Sequence, residues 1–242
     1  MIRIGTSGWV YGDWRERFYP RGVPQRRWLA YYAERFDTVE LNATTYRLPT
    51  AAQARVWCEV VPQGFRYTVK LSRLITHRRD LPDRVDRFIA NYFERAACFT
   101  PEKLAQILVQ FPPYLKRDDA HLEAFLQKLP PEYRYVVEFR DASWFAPDVA
   151  DMLRRRNVAF CIHDYPGMRV PPWITSSATA YVRFHGATGL YVGSYSCRTL
   201  RRWANKIAEF ATQVDDVYVY FNNDTAAAAP HDAAVLKKML PA

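Results

Sequence analysis

Short apolar runs alternate along this chain with stretches whose apolar residues recur at helical spacing. The runs predict strands at Ile2–Thr6, Thr38–Leu41, Arg66–Leu71 and Leu104–Phe111, then from Tyr135 to Phe139, and at Val158–Ile162, Ala180–Phe184 and Val217–Phe221. Between them lie seven amphipathic stripes. Trp28, Leu29, Tyr32, Ala33 and Phe36 form the first, and Ala51–Val61 the second, with Thr50 as its N-cap and Pro62 closing it. Val85, Phe88, Ile89, Tyr92 and Phe93 follow, then Leu122, Phe125, Leu126 and Leu129, then Val149, Met152 and Leu153. Leu200, Trp203, Ile207, Phe210 and Val214 make a long helix, and Val235, Leu236, Met239 and Leu240 the last. The segment from Asp164 to Thr179 carries Pro166, Gly167, Pro171 and Pro172 and shows no stripe.

Strands that alternate with helices pair in parallel through crossovers. Eight such units in 242 residues match the size of a closed barrel. The predicted fold is therefore α/β, a (β/α)8 TIM-barrel-like single domain over residues 1–242, with an irregular crossover after the sixth strand. A doubly wound open sheet is the alternative, but no Gly-x-Gly-x-x-Gly turn follows the first strand.

Composition sharpens this picture in two ways. With 49% hydrophobic residues and only 9 glycines, the chain can build a large core, and no apolar run is long enough to span a membrane. Cys58, Cys98, Cys161 and Cys197 are dispersed without a Cys-x-x-Cys pair, and the first residues run straight into a strand rather than an apolar leader. Both point to a reduced, cytoplasmic protein. The net charge of +9 with 15% aromatic residues suits an enzyme of phosphates or sugars, and also a nucleic-acid binder. Runs such as Arg154-Arg155-Arg156 and Arg201-Arg202 read as solvated helix faces.

Active sites of such barrels lie at the C-terminal strand ends. The strands end in Glu40 and Asn42, in Lys70, in Gln110, in Glu138 and Arg140, in His163 and Asp164, in Arg183 and His185, and in Asn222, Asn223 and Asp224. The pairs Glu40/Asn42, Glu138/Arg140 and Arg183/His185 are two apart, so each pair shares one face of its strand. Glu40 and Glu138 come from strands three apart and are expected to face one another across the mouth, the minimum set for acid–base work on a sugar. His185 is the expected proton donor. Arg140 beside Glu138 favours its ionised form, as a base or as half of a rim ion pair. Lys70, Arg140 and Arg183 suit an anionic group, and Asn42, Gln110, Asn222 and Asn223 suit hydroxyls. Trp9, Tyr11, Trp14, Tyr46, Trp144 and Tyr195 lie in loops expected on the same face; of these, Trp9, Tyr11 and Trp144 are taken as substrate-binding aromatics. No metal centre is expected among these cations, and His163 with Asp164 is the alternative ligand pair for a divalent metal.

Several dispersed motifs, in order, are familiar. Gly5-Thr6-Ser7-Gly8-Trp9, Phe18-Tyr19-Pro20, Glu40-Leu41-Asn42-Ala43-Thr44, Ile75-Thr76-His77 and Gln110-Phe111-Pro112-Pro113 resemble the YecE-like family, domain of unknown function 72. So do Glu138-Phe139-Arg140 with Ser143-Trp144, Arg183-Phe184-His185-Gly186 and Tyr220-Phe221-Asn222-Asn223. Thr45-Tyr46 departs from the family's usual Phe-Tyr and leaves the charged ring untouched. The resemblance implies a TIM-barrel-like fold and a cytoplasmic protein, with no settled activity. Three functions then compete: an enzyme acting on a small anionic or sugar ligand without a cofactor, a nucleic-acid-binding or processing protein, and a non-catalytic scaffold.

Overall fold

A computed structural model describes residues 1–46, 48–78 and 84–240, residue 84 by its backbone alone. The strands are β1 (Ile2–Thr6), β2 (Thr38–Leu41), β3 (Arg66–Lys70), β4 (Leu104–Phe111), β5 (Tyr135–Phe139), β6 (Ala159–His163), β7 (Thr179–Phe184) and β8 (Asp216–Phe221). All pair in parallel, in the order β1-β8-β7-β6-β5-β4-β3-β2. Around them run α1 (Trp28–Ala33), α2 (Ala51–Val60), α3 (Arg73–Thr76), α4 (Arg84–Ala96), α5 (Asp119–Gln127), α6 (Pro147–Arg155), α7 (Cys197–Phe210) and α8 (Ala228–Met239). This is the TIM-barrel-like arrangement the alternation predicts, with no helix between β6 and β7.

Four predicted stripes outlast their helices. Phe36, Leu129, Val214 and Leu240 pack from the turn after α1, α5, α7 and α8, because burial and not helical hydrogen bonding sets the stripe. The unpredicted α3 is a single turn started by Ser72, whose side chain accepts from Leu74 N–H.

The barrel closes at a seam. Among the described residues, the one bridge between β1 and β2 is Ser7 with Glu40. Below it the Tyr32 hydroxyl stands in for the ladder, accepting from Thr6 N–H at 2.8 Å and donating to Thr38 O at 3.0 Å. Gly5 permits this: a Cβ there would lie 2.1 Å from Thr38 O and 2.9 Å from the Tyr32 hydroxyl. The first motif glycine is thus a packing requirement of the seam.

Two cores follow from strand alternation. Outward residues such as Val109, Phe139, Phe184 and Phe221 meet the helices, while Leu108, Val136, Cys161, Tyr181, Tyr218 and Tyr220 fill the barrel. The inner floor ends in hydroxyls. Tyr220 bonds Thr38 Oγ1 at 2.6 Å and Thr68 Oγ1 at 2.9 Å, and Tyr181 donates to Glu40 Oε2 at 2.5 Å. Above that level the interior is charged. Arg154 and Arg155 on α6, and Arg201 and Arg202 on α7, are exposed on the barrel's outer wall. Among the described residues, no helix is long and apolar enough to cross a membrane.

Candidate functional site

Strand parity brings Glu40, Glu138, Arg140, Arg183 and His185 together at the C-terminal mouth, all of them buried. They do not stand apart across open space. Arg183 lies between the two carboxylates: its Nη2 donates to Glu40 Oε1 at 2.6 Å and its Nη1 to Glu138 Oε2. Arg140 Nε donates to the other Glu138 oxygen at 2.6 Å. The expectation that Glu40 and Glu138 flank a substrate is therefore corrected, because one guanidinium occupies the space between them. Burial opposes a charge on Glu138, yet the Arg140 and Arg183 guanidiniums hold its carboxyl well below the usual range. Arg183 in turn stays ionised well above its ordinary value: burial works against it, and Glu138 and Glu40 outweigh burial.

His185 is fastened to this cluster. Arg140 Nη2 approaches its Nε2 at 3.1 Å and Arg183 Nη1 at 3.4 Å. Guanidiniums only donate, so Nε2 carries the lone pair and the proton sits on Nδ1, 3.5 Å from Asp164 Oδ1. A ring so oriented accepts at the mouth, contrary to the expected proton donor. Asp164 also takes the His185 N–H at 2.6 Å and the Tyr195 hydroxyl. His163 spends Nε2 on Phe139 O at 2.9 Å and Nδ1 on Tyr165 N–H at 3.2 Å. The alternative metal pair is thus committed to neighbours, and among the described residues no group of three or more His, Cys, Asp or Glu is placed to hold an ion.

Asn42 reaches Asn222 Oδ1 at 3.3 Å and Arg183 Nη2 at 3.4 Å, so both asparagines join the ring. Gln110 is buried there too, its amide bonded to Phe111 O at 3.0 Å. Asn223 does not belong. Two residues past the outward Phe221, it donates to Gly193 O at 2.9 Å and to Asp232 Oδ2 at 2.8 Å, tying α8 to the loop after β7. Trp144 is also corrected. Its indole stacks on Phe139 at 4.6 Å, donates to Leu115 O and is fully buried outside the barrel. The Asp141-capped turn sends it behind the strand, onto the helix side.

Trp9 and Tyr11 do reach a cavity. Beside the ring, and sharing Asn42 with it, lies a space of about 740 Å³ bordered by Trp9, Tyr11, Leu41, Leu48 and Trp57. Trp9 is mostly buried, edge-on to Trp57 at 5.0 Å. Trp14 is buried, Tyr195 spends its hydroxyl on Asp164, and Tyr46 stands exposed under Arg73. On the opposite rim, the loop after β7 folds in on Gly186, at φ 131°, where a Cβ would meet Gly189 O at 2.2 Å. Tyr191 in that loop takes φ 66°, and its hydroxyl bonds Arg140.

Two groups differ from the rest. Lys70 points inward from the end of β3, and its amine has no hydrogen bond or ion pair with any described residue. Burial first, then Arg183 and Arg140, pull its pKa down to about 8, while Glu138 and Glu40 pull the other way. Asp224 is the second, although the sequence assigns substrate contact to its neighbour Asn223. Asp224 continues the inward series of Tyr220 and Asn222, and that parity was the available signal. Trp14 Nε1 grips its carbonyl at 2.8 Å, and Asp13 holds Ala226 N–H at 2.7 Å in a turn where Ala226 and Ala227 both take positive φ. Burial, with Glu40 and Asp13, raises the Asp224 carboxyl to about 7, against the pull of the Tyr11 hydrogen bond and Arg183. Its Oδ1 is buried without a hydrogen-bond partner among the described residues.

Residues 3–242 match the family model described as "Protein of unknown function DUF72". The UPF0759 protein YunF of Bacillus subtilis is 26% identical over 99% of this chain and 95% of its own length. The UPF0759 protein YecE of Escherichia coli is 31% identical over 60% of this chain and 51% of its own. A crystal structure of a DUF72 family protein from Thermotoga maritima superposes with a TM-score of 0.89 at 30% identity, covering 99% of this chain and 98% of that one. One from Enterococcus faecalis does so at 0.86 and 21%, covering 99% and 95%.

Proposed function

The chain belongs to the DUF72 family, a family of unknown function, and we propose that it is an enzyme acting on a small anionic substrate of the sugar or phosphate class at the barrel mouth. One observation carries this reading: among the described residues the mouth holds a cation, Lys70, that no carboxylate pairs with. Glu40 and Glu138 balance Arg140 and Arg183, and the His185 ring lies between donors with its lone pair occupied. Lys70 is left over. It is half-buried, and a partly desolvated, unpaired ammonium costs free energy that a bound anion returns. Arg140, bonded to Glu138 through Nε, to His185 through Nη2 and to the Tyr191 hydroxyl, is the second cation such an anion would meet.

In this reading the buried carboxylates are the frame and Asp224 moves the proton. A carboxyl that titrates near 7 can both give and take a proton at neutral pH, whereas Glu138 stays ionised. The cavity lined by Trp9, Tyr11 and Trp57 supplies flat apolar walls for the remainder of the substrate.

Proton transfer is the testable step. Incubation with a panel of aldose and ketose phosphates and sugar acids in deuterated water, followed by proton NMR, should show exchange at a substrate carbon. Asp224→Asn should abolish it. Absence of both exchange and turnover across the panel, with no anion-dependent rise in melting temperature, would overturn the reading.

A further inference from the structure

Resting on the reading of the mouth as an anion site, we propose that Lys70 is a nucleophile that forms an imine with an aldehyde or ketone carried by the anionic substrate. Its stem is fixed. Lys70 N–H donates to Thr44 Oγ1 at 2.8 Å, and Lys70 O accepts from Thr44 Oγ1 at 2.8 Å and from Tyr92 at 3.1 Å. Thr68, two residues earlier on the same face, bonds Tyr220 on the barrel floor, so Lys70 rises from that floor into the mouth.

The chain's other lysines are spent or solvated. Lys103 lies against the carbonyls of Val61, Pro62 and Gln63; Lys116 pairs with Asp141 and Lys128 with Asp86, while Lys237 bonds Arg35 O. Among the described residues, Lys70 is the one lysine that combines an inward position with an unengaged amine.

The groups facing it set its protonation. Arg183 on β7 and Arg140 after β5 disfavour the ammonium, and Glu138 on β5 and Glu40 on β2 favour it. His77, after α3, is held below its ordinary value by burial, Lys70, Arg73 and Arg140, so at neutral pH it adds no charge. With the amine titrating at about 8, roughly one chain in ten carries it neutral at pH 7, where an ordinary lysine has almost none. Desolvation next to cations is the standard physical route to a nucleophilic lysine.

The step balances without a further reagent. The neutral amine's lone pair adds to the carbonyl carbon as the C=O π pair moves onto oxygen. A proton passes from nitrogen to that oxygen, and the carbinolamine then takes up a second proton and loses water as the C=N bond forms. The protonated imine keeps the positive charge opposite Glu138 and Glu40, and it withdraws electrons from the adjacent C–H or C–C bond. Arg140 would hold the substrate's carboxylate or phosphate beside the reacting carbon. The substrate class is thus narrowed to small oxo acids and aldehyde or ketone phosphates.

Reductive trapping tests this. The protein is incubated separately with glyoxylate, pyruvate and glycolaldehyde phosphate plus sodium cyanoborohydride, and adducts are mapped by peptide mass spectrometry. With at least one probe, the adduct at Lys70 should form at least about tenfold faster than at any other lysine, and inorganic phosphate should slow it. Lys70→Arg, which keeps the charge, should lose that adduct. Labelling spread over surface lysines, or none at Lys70, overturns the imine. Phosphate raising the melting temperature in that case leaves the anion site standing; no phosphate effect removes both.

Discussion

Between β5 and β7 the mouth's charges are interlocked, with Arg183 bonded to both buried glutamates and Arg140 to one of them. At β3 and just after β8, Lys70 has an unengaged amine and Asp224 a buried oxygen without a partner. Both regions use the same chemistry of carboxylate and cation; the first is buried, while Lys70 and Asp224 are half-buried. What separates them is saturation. Where each buried charge has a partner of opposite sign, burial locks protonation, and Glu138 is held ionised. Where it has none, burial drags the group toward neutrality, to about 8 for Lys70 and about 7 for Asp224. The interlocked arc therefore behaves as architecture and the open positions as reactive groups.

The contrast can be broken hardest at Glu138. Glu138→Gln leaves the buried Arg140 without a carboxylate and Arg183 with Glu40 alone, and losing one partner of a buried pair costs about 3–5 kcal/mol. For a chain of this size that lowers the melting temperature by roughly 10 °C, readable by calorimetry. An unchanged melting temperature would return Glu138 to the reactive class. Gly5→Ala tests the seam beneath Glu40. Its new methyl meets Thr38 O, and overpacking of this kind costs about 1–3 kcal/mol in chemical denaturation.

Asp224 gives a smaller effect with a definite sign. Its folded value of about 7 lies above the ordinary 3.8, so between those values the folded chain holds a proton the unfolded chain has lost. Stability therefore falls as pH rises from about 4 to about 7 and levels off above. Asp224→Asn should remove that slope from melting temperatures taken across the range. Smallest of all, Tyr11→Phe removes the hydrogen bond that pulls Asp224 down, so the same titration should move slightly upward.

Much of this was legible in the sequence, because strand alternation is a local pattern. It gave eight strands in order and put Glu40, Glu138, Arg140, Arg183 and His185 on inward faces. Three things were not local. Whether Glu40 and Glu138 face a substrate or one guanidinium depends on the reach of Arg183 across the barrel. Trp144 sits in a loop by sequence, and only the Asp141-capped turn sends it behind Phe139. Asn223 and Asp224 adjoin, and one step of parity decides which enters the mouth. The saturation of each charge is a property of the assembled ring, so the distinction between frame and reactive group could not be read before the ring was built.

Lys70→Met tests the distinction most directly, by phosphate titration calorimetry at pH 7 paired with melting curves at rising pH. The variant should bind phosphate at least about tenfold more weakly, the loss of one charge-assisted contact. It should melt no lower than the parent at pH 7, since a desolvated unpaired cation has been removed. Between pH 8 and 10.5 the unfolded parent holds a proton the folded one has released, so the parent gains stability across that window and the variant does not. Unchanged phosphate affinity, or a fall in melting temperature as large as that of Glu138→Gln, would contradict the account.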